Sequence, residues 1–114
     1  MKTRSSSLKK KAAAGKGRKV TLGPTKARVT QDLGNGFLRD QFSPFTVGPN
    51  SFITITFTAG SGRVVINAGW FISGSTSAWP TNSYPVTDTQ WRLIIQNSTN
   101  VTRTVVPYLI TKTR

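Results

Sequence analysis

SFITITFT, residues 51 to 58, alternates apolar and hydroxyl-bearing side chains from Ile53 to Thr58. Successive side chains of a β-strand point to opposite sides, so Ile53, Ile55 and Phe57 share one face of an extended chain. Phe52 falls with the threonines on the other face. This period of two predicts a strand that buries one face in an apolar core.

The alternation continues downstream of this stretch. A turn, AGSG, leads into residues 63–72 (RVVINAGWFI), which carry a second alternating apolar set, and we expect the two runs to pair as a hairpin. Residues 89–96 (TQWRLIIQ) and 101–111 (VTRTVVPYLIT) follow and resemble the closing hairpin of immunoglobulin-like sandwiches. Pro107 lacks an amide donor, so the last strand is expected at a sheet edge or at a bulge.

Two shorter strands are predicted upstream, at residues 27–31 and 37–42, on either side of the turn signal Gly34-Asn35-Gly36. Six or seven short strands with regularly spaced turns, and no amphipathic helix pattern, are typical of an all-β domain. We therefore predict a small antiparallel β-sandwich, immunoglobulin-like or a reduced jelly-roll, over residues 29–114.

Residues 74–85 (GSTSAWPTNSYP) are predicted to form a long polar loop that carries Trp79 and Tyr84. Two interpretations of these aromatic side chains remain open. Trp79 can cap one end of the core, or the pair can form a surface-binding loop. The acceptor motifs for N-glycosylation at Asn97-Ser98-Thr99 and Asn100-Val101-Thr102 are interpreted as turn residues.

The charge of the chain is concentrated at its N-terminal end. Of the formal net charge of +13, residues 1–28 contribute ten Lys/Arg and no Asp or Glu, whereas residues 29–114 carry six Lys/Arg against Asp32, Asp40 and Asp88. Low-complexity sequence of this kind cannot bury enough apolar surface to fold, so residues 1–28 are predicted to be a flexible basic arm. A polyanion or an acidic surface is its expected partner.

The cations of this arm are spaced irregularly and lack interleaved aromatic residues, which predicts phosphate contact without base readout. The predicted nucleic-acid-binding residues are the ten cations of the arm. They are Lys2, Arg4, Lys9, Lys10, Lys11, Lys16, Arg18, Lys19, Lys26 and Arg28.

Catalytic chemistry has few candidates in this chain. It contains no His, no Cys and no Glu, and each of the three Asp is interpreted as a turn-capping or salt-bridging carboxylate. We predict that the protein is not an enzyme and that it uses no cofactor and no metal. Its apolar runs are too short for a membrane-spanning helix, so no membrane partner is expected.

A basic N-terminal arm followed by a nearly neutral, Thr/Ser/Asn-rich β-domain resembles the architecture of virion structural proteins. The resemblance implies a virion location and a small capsid or capsid-decorating subunit. It also implies self-association or contact with other capsid subunits, with the arm on packaged nucleic acid or on an acidic capsid surface. The alternatives are a ribosome-associated or other non-sequence-specific nucleic-acid-binding protein, and a carbohydrate- or host-binding β-module that would use Trp79 and Tyr84.

Overall fold

Nine β-strands account for most of the residues that the computed structural model describes, which are 17–73 and 78–114. The strands are β1 (Gly17–Leu22), β2 (Ala27–Gly34), β3 (Phe37–Phe42), β4 (Phe45–Val47), β5 (Ser51–Thr58), β6 (Arg63–Ile72), β7 (Ala78–Thr87), β8 (Gln90–Asn97) and β9 (Arg103–Thr113). One 3₁₀ turn, Pro24–Lys26, connects β1 to β2. The predicted all-β class is confirmed.

The strands form two packed sheets. The first sheet has the order β1-β5-β8-β7. In the second sheet β9 is the central strand, and β6 pairs with one of its edges. The other edge of β9 pairs with β3 over residues 108–112 and with β4 over residues 103–105. The outer strand β2 pairs with β3. Every pairing is antiparallel except that of β1 with β5, which is parallel.

The core lies between the inner faces of the two sheets. The predicted alternation in β5 is present, because Ile53, Ile55 and Phe57 are fully buried. Between the two sheets, the centre of the Phe57 ring lies 5.7 Å from the centre of the Phe42 ring of β3, and the two rings are tilted relative to each other. Burying several large apolar side chains at about 1.5–3 kcal/mol each provides the main stabilisation of the fold.

Three polar residues are buried within this sandwich: Asp40 and Asn97 have hydrogen-bond partners, whereas Thr111 Oγ1 has none among the described residues. The Asp40 carboxylate accepts hydrogen bonds from Thr30 Oγ1 at 2.6 Å and from Arg63 Nη1 at 3.0 Å, so it is a salt-bridging residue as predicted. Asn97, at the end of β8, donates to the carbonyl oxygens of three other residues. Breaking these contacts would leave a buried polar group without a partner, which is costly, so they hold the segments that they join in place.

The predicted hairpin between residues 51–58 and 63–72 is wrong. β5 belongs to the first sheet and β6 to the second, so the AGSG segment crosses from one sheet to the other. Ala59 is buried at this corner and donates its backbone N–H to Thr89 O at 2.8 Å, while Gly60 and Gly62 have positive φ angles. Apolar residues alternate with a period of two both in strands paired within one sheet and in strands of two facing sheets. The alternation therefore does not show which of these two arrangements the strands adopt.

The predicted closing hairpin is wrong for the same reason, since β8 lies in the first sheet and β9 in the second. The expectation for Pro107 is also wrong, because β9 is the central strand of its sheet. On one side Pro107 is paired with Trp70 of β6. On its other side it has no partner, because the pairing of β9 with β3 stops at Tyr108 and the pairing with β4 stops at Val105. The missing amide donor is tolerated because Pro107 faces the gap between β3 and β4.

The predicted loop over residues 74–85 is wrong for most of its length. Ala78–Thr87 forms edge strand β7 and pairs with β8, while residues 74–77 lie outside the described residues. Prolines at positions 80 and 85 suggested a loop, but each adjoins a register shift in this edge strand, between Pro80 and Asn82 and between Pro85 and Thr87. Proline is compatible with such positions because an edge strand leaves one row of donors unused.

The described structure also moves the boundary of the folded domain. Gly17–Leu22 pairs with β5 and Leu22 is buried in the core, so the folded part includes residues that charge alone assigned to a flexible arm. Val20 and Leu22 alternate with charged and polar neighbours, which supplies the apolar face that a strand needs. The predicted disorder of residues 1–16 concerns residues outside the described ones.

Candidate nucleic-acid interface

The outer surface of the first sheet is the candidate site. Ile53 and Ile55 of β5 and Leu93 and Ile95 of β8 point inward, so the alternate residues of these strands point outward. The registers place the outward residues in three rows across the sheet, which together we call the first-sheet face. The rows are Gly17-Phe52-Gln96-Trp79, Lys19-Thr54-Ile94-Asn82 and Thr21-Thr56-Arg92-Tyr84.

Two cations of this face line one cleft, which we call the Lys19–Arg92 cleft. Its volume is about 250 Å³, and Val20, Thr21, Thr54 and Thr56 complete its lining. Threonine hydroxyls and two cationic side chains form a donor-rich surface suited to an anion.

The Arg92 guanidinium is only partly used within the protein. Its Nη1 donates to the Tyr84 hydroxyl at 3.3 Å. Its Nε is buried and, within residues 17–73 and 78–114, has no hydrogen-bond partner. The buried Nε is out of reach of a ligand, so an anion in the cleft would be held by the positive charge of the guanidinium.

Both predicted aromatic residues lie on the same face as this cleft. Trp79 is 46% exposed and Tyr84 is 38% exposed. They are paired with Gln96 and Arg92, which point outward, so Trp79 does not cap the core. Large aromatic side chains that are exposed on a sheet surface are available to stack on a ligand.

The remaining predicted cations are placed elsewhere. Arg18 is exposed on the side of β1 that faces the second sheet, where its Nη1 donates to Thr46 O at 3.3 Å and its guanidinium carbon lies 5.3 Å from the centre of the Phe45 ring. Lys26 and Arg28 are exposed in the connection to β2 and in β2 itself. Residues 2 to 16, with six of the predicted cations, lie outside the described residues. The structure therefore brings together Lys19, Trp79 and Tyr84.

No carboxylate competes with these cations on the first-sheet face. All three Asp of the chain are described: Asp32 and Asp40 lie in the second sheet, and Asp88 lies in the turn before β8. The positive potential of the face is therefore not neutralised locally.

Arg92 was not predicted as part of a site, although its position was readable from the sequence. In TQWRLIIQ the apolar residues Trp91, Leu93 and Ile95 alternate with Arg92, which predicts that Arg92 faces outward. What the sequence does not show is that the strand carrying Lys19 lies two strands away and brings a second cation to the same cleft.

A second concave surface lies between the edges of β6 and β7, and we call it the tryptophan cleft. Its volume is about 370 Å³, and it is lined by Asn67, Ala68, Gly69, Trp70, Ser83, Trp91 and Tyr108. Trp91 Nε1 donates to Ser83 Oγ at 2.9 Å, which fixes that indole ring.

The outer surface of the second sheet has a different character. Val29, Phe71 and Tyr108, which are 47%, 67% and 36% exposed, point outward from β2, β6 and β9, and we call this surface the second-sheet face. Half-buried Val106 and Ile110 lie on the same side. Phe71 is paired with Val106, which alternates with Tyr108 and Ile110 along β9, and Gln41 separates this group from Val29.

Comparison with known proteins assigns the chain to a family. A family model described as YjdH matches residues 18–111, which is most of the chain and runs from β1 to β9, so the chain belongs to the YjdH family. No curated protein and no solved structure matches it. Among the described residues there is no helix with the length and apolar character needed to cross a bilayer.

Proposed function

We propose that this protein is a virion structural protein, a small capsid or capsid-decorating subunit whose β-sandwich assembles in many copies and whose basic N-terminal region binds packaged nucleic acid. The observation that carries the proposal is the difference between the two outer faces of the sandwich. The first-sheet face carries Lys19 and Arg92 around one cleft, with Trp79 and Tyr84 beside them, and the second-sheet face presents the apolar side chains of Val29, Phe71 and Tyr108 together with Arg39.

The nucleic-acid side of the proposal is supported by the continuity of charge. The cations of residues 1–16 precede β1 directly, and Lys19 of β1 lies on the first-sheet face beside Arg92. A strand of nucleic acid held by the N-terminal residues would thus meet further cations on the folded domain. Phosphate contacts of this kind are independent of base sequence, as packaging a genome requires.

The assembly side is supported by the second-sheet face. Phe71 is two-thirds exposed, and Tyr108 and Val29 lie in one row across the sheet with Gln41 between them. Burying this surface against another subunit would stabilise an assembly by removing apolar area from water. A small domain gains additional stability in the same way.

A second candidate function is a carbohydrate- or host-binding module, and the tryptophan cleft is the observation that favours it. Trp70, Trp91 and Tyr108 line this cleft together with the polar side chains of Asn67 and Ser83. Aromatic surfaces with a few polar groups are typical of small-molecule sites.

The leading proposal can be tested by sedimentation velocity of the intact chain, measured with and without a single-stranded nucleic acid. Electron microscopy then shows whether the sedimenting material is regular. We expect large, regular complexes to form with nucleic acid and to dissociate in high salt, because the attraction to phosphates is screened. A chain that remains a monomer and ignores nucleic acid would contradict the proposal.

A variant lacking residues 1–16 is the matched control for this experiment. It retains β1 and therefore both faces of the sandwich, and it removes six Lys/Arg. We expect it to bind nucleic acid more weakly and with a shallower salt dependence. If its binding equals that of the intact chain, the N-terminal cations are not part of the nucleic-acid site.

A further inference from the structure

We propose that the first-sheet face binds single-stranded nucleic acid, with a phosphate in the Lys19–Arg92 cleft and unpaired bases stacked on Tyr84 and Trp79. This inference rests on the proposed nucleic-acid function and deepens it. It adds a second mode of contact to the N-terminal cations and selects single strands over duplexes.

The phosphate position follows from the cations and hydroxyls that line the cleft. The Arg92 guanidinium lines one side of it, and its Nη1 donates to the Tyr84 hydroxyl at 3.3 Å. Lys19 is exposed at the other side of the cleft, and the side chains of Thr54 and Thr56 line it between the two cations. A phosphate is the anion that a nucleic acid would place there, and charge-assisted hydrogen bonds to it are short and strong.

The stacking positions follow from a bulge in β7. Trp79 and Tyr84 are five residues apart, so in a regular strand their side chains would point to opposite faces. The register shift between Pro80 and Asn82 reverses the alternation and brings both rings to the first-sheet face. They are separated by about 13 Å along the strand, which allows each ring to stack on a different base.

The proposed phosphate contact of Arg92 and the proposed base contact of Tyr84 lie next to each other. Tyr84 lies in the same row as Arg92 and accepts its hydrogen bond, so the guanidinium and the ring are held side by side. A nucleotide whose phosphate contacts Arg92 therefore has an aromatic ring within reach of its base.

Selection of single strands follows from the shape of the face. The rings lie on a sheet surface, and stacking on them needs bases whose faces are not covered by neighbouring base pairs. A duplex offers only its phosphates to this face. The single strand thus gains the stacking contacts that the duplex lacks.

Fluorescence anisotropy with a labelled 20-nucleotide oligodeoxythymidylate and a labelled 20-base-pair duplex tests this inference. We expect Tyr84→Ala and Trp79→Ala each to weaken binding of the single strand about tenfold and to leave duplex binding within about twofold. Arg92→Gln should weaken both and lower the salt slope for the single strand by about 0.7, the loss of one phosphate contact.

Two further variants control for charge and for folding. Arg39→Gln removes one positive charge from the second sheet. Arg39 is hydrogen-bonded to Gln31 much as Arg92 is to Tyr84, so the two changes are comparable. We expect the Arg39→Gln protein to bind the single strand within about twofold of the unmodified protein. Tyr84→Phe keeps the ring and loses only the hydroxyl, so it should lose less affinity than Tyr84→Ala. Thermal unfolding of each variant confirms that the domain is intact.

Three outcomes separate the inference from the proposed function. Binding of the single strand by Tyr84→Ala and Trp79→Ala within about twofold of the unmodified protein would overturn the inference. If binding then also depends on residues 1–16, the proposed function stands without it. If the unmodified protein binds neither oligonucleotide, the proposed function fails and the inference fails with it.

Discussion

Asn97 shows how one side chain holds an end of the sandwich together. It is fully buried, and its Nδ2 donates to the carbonyl oxygens of Val47, Gly48 and Val101 at 2.9–3.1 Å. Its Oδ1 accepts from Thr99 N and Thr99 Oγ1. One amide therefore joins the end of β4 in the second sheet to the connection between β8 and β9.

Replacing this side chain should be costly. We expect Asn97→Ala to lower the free energy of unfolding by about 2–4 kcal/mol, because the buried carbonyl of Val47 loses its side-chain donor and a cavity remains. Urea unfolding followed by tryptophan fluorescence measures the difference. Asn100→Ala, three residues later and exposed, is the matched control and should change stability by less than about 0.5 kcal/mol. Equal stabilities of the two variants would contradict this role for Asn97.

At the scale of elements, β1 converts part of the basic region into structure. It adds the only parallel pairing among the described strands, covers the edge of β5 and buries Leu22. Arg18 then reaches the second sheet through Thr46 and Phe45. β1 therefore connects the two sheets at one edge as well as extending the first sheet.

Two truncations separate the roles of residues 1–16 and of β1. Removing residues 1–16 should leave the unfolding transition cooperative and its midpoint nearly unchanged, because all nine strands and their pairings lie within the retained residues. Removing residues 1–28 should lower stability by about 2 kcal/mol or more, since Leu22 leaves the core and the β5 edge is exposed. Thermal unfolding by circular dichroism compares them. Equal midpoints would show that β1 contributes nothing to the fold.

The strands were largely predictable from the sequence, whereas their partners were not. Residues 51–58 and 63–72 coincide with β5 and β6, because alternation reports local burial. The same alternation does not say whether a glycine-containing turn closes a hairpin or crosses between sheets. β7 was missed because its two prolines and many polar residues have the composition of a loop, and only its pairing with β8 makes it a strand.

The candidate site was partly predictable for a similar reason. Lys19, Trp79 and Tyr84 were singled out by charge and by aromatic character, which are visible in the sequence. Their convergence on one face was not, since it depends on the parallel pairing of β1 with β5 and on the bulge after Pro80. These are long-range and register features, which single-sequence patterns do not encode.

At the scale of the whole molecule, the sandwich separates two kinds of contact. Lys19, Arg92, Trp79 and Tyr84 lie on the first-sheet face, while Val29, Phe71 and Tyr108 lie on the second-sheet face, with the core between them. Nucleic acid on one face leaves the other free for neighbouring copies. In the proposed function, one subunit would bind a packaged strand and its neighbours at the same time.

Hydroxyl-radical footprinting of the intact chain, read by mass spectrometry, tests this division most directly, because it reports the solvent exposure of individual side chains. We predict that a single-stranded oligonucleotide protects Trp79 and Tyr84, and that Phe71 and Tyr108 become protected as well when complexes assemble. Buried Phe57 serves as the internal control and should react equally in every sample. If nucleic acid is bound while Trp79 and Tyr84 react as in the free protein, and assembled complexes leave Phe71 and Tyr108 unprotected, the account is contradicted.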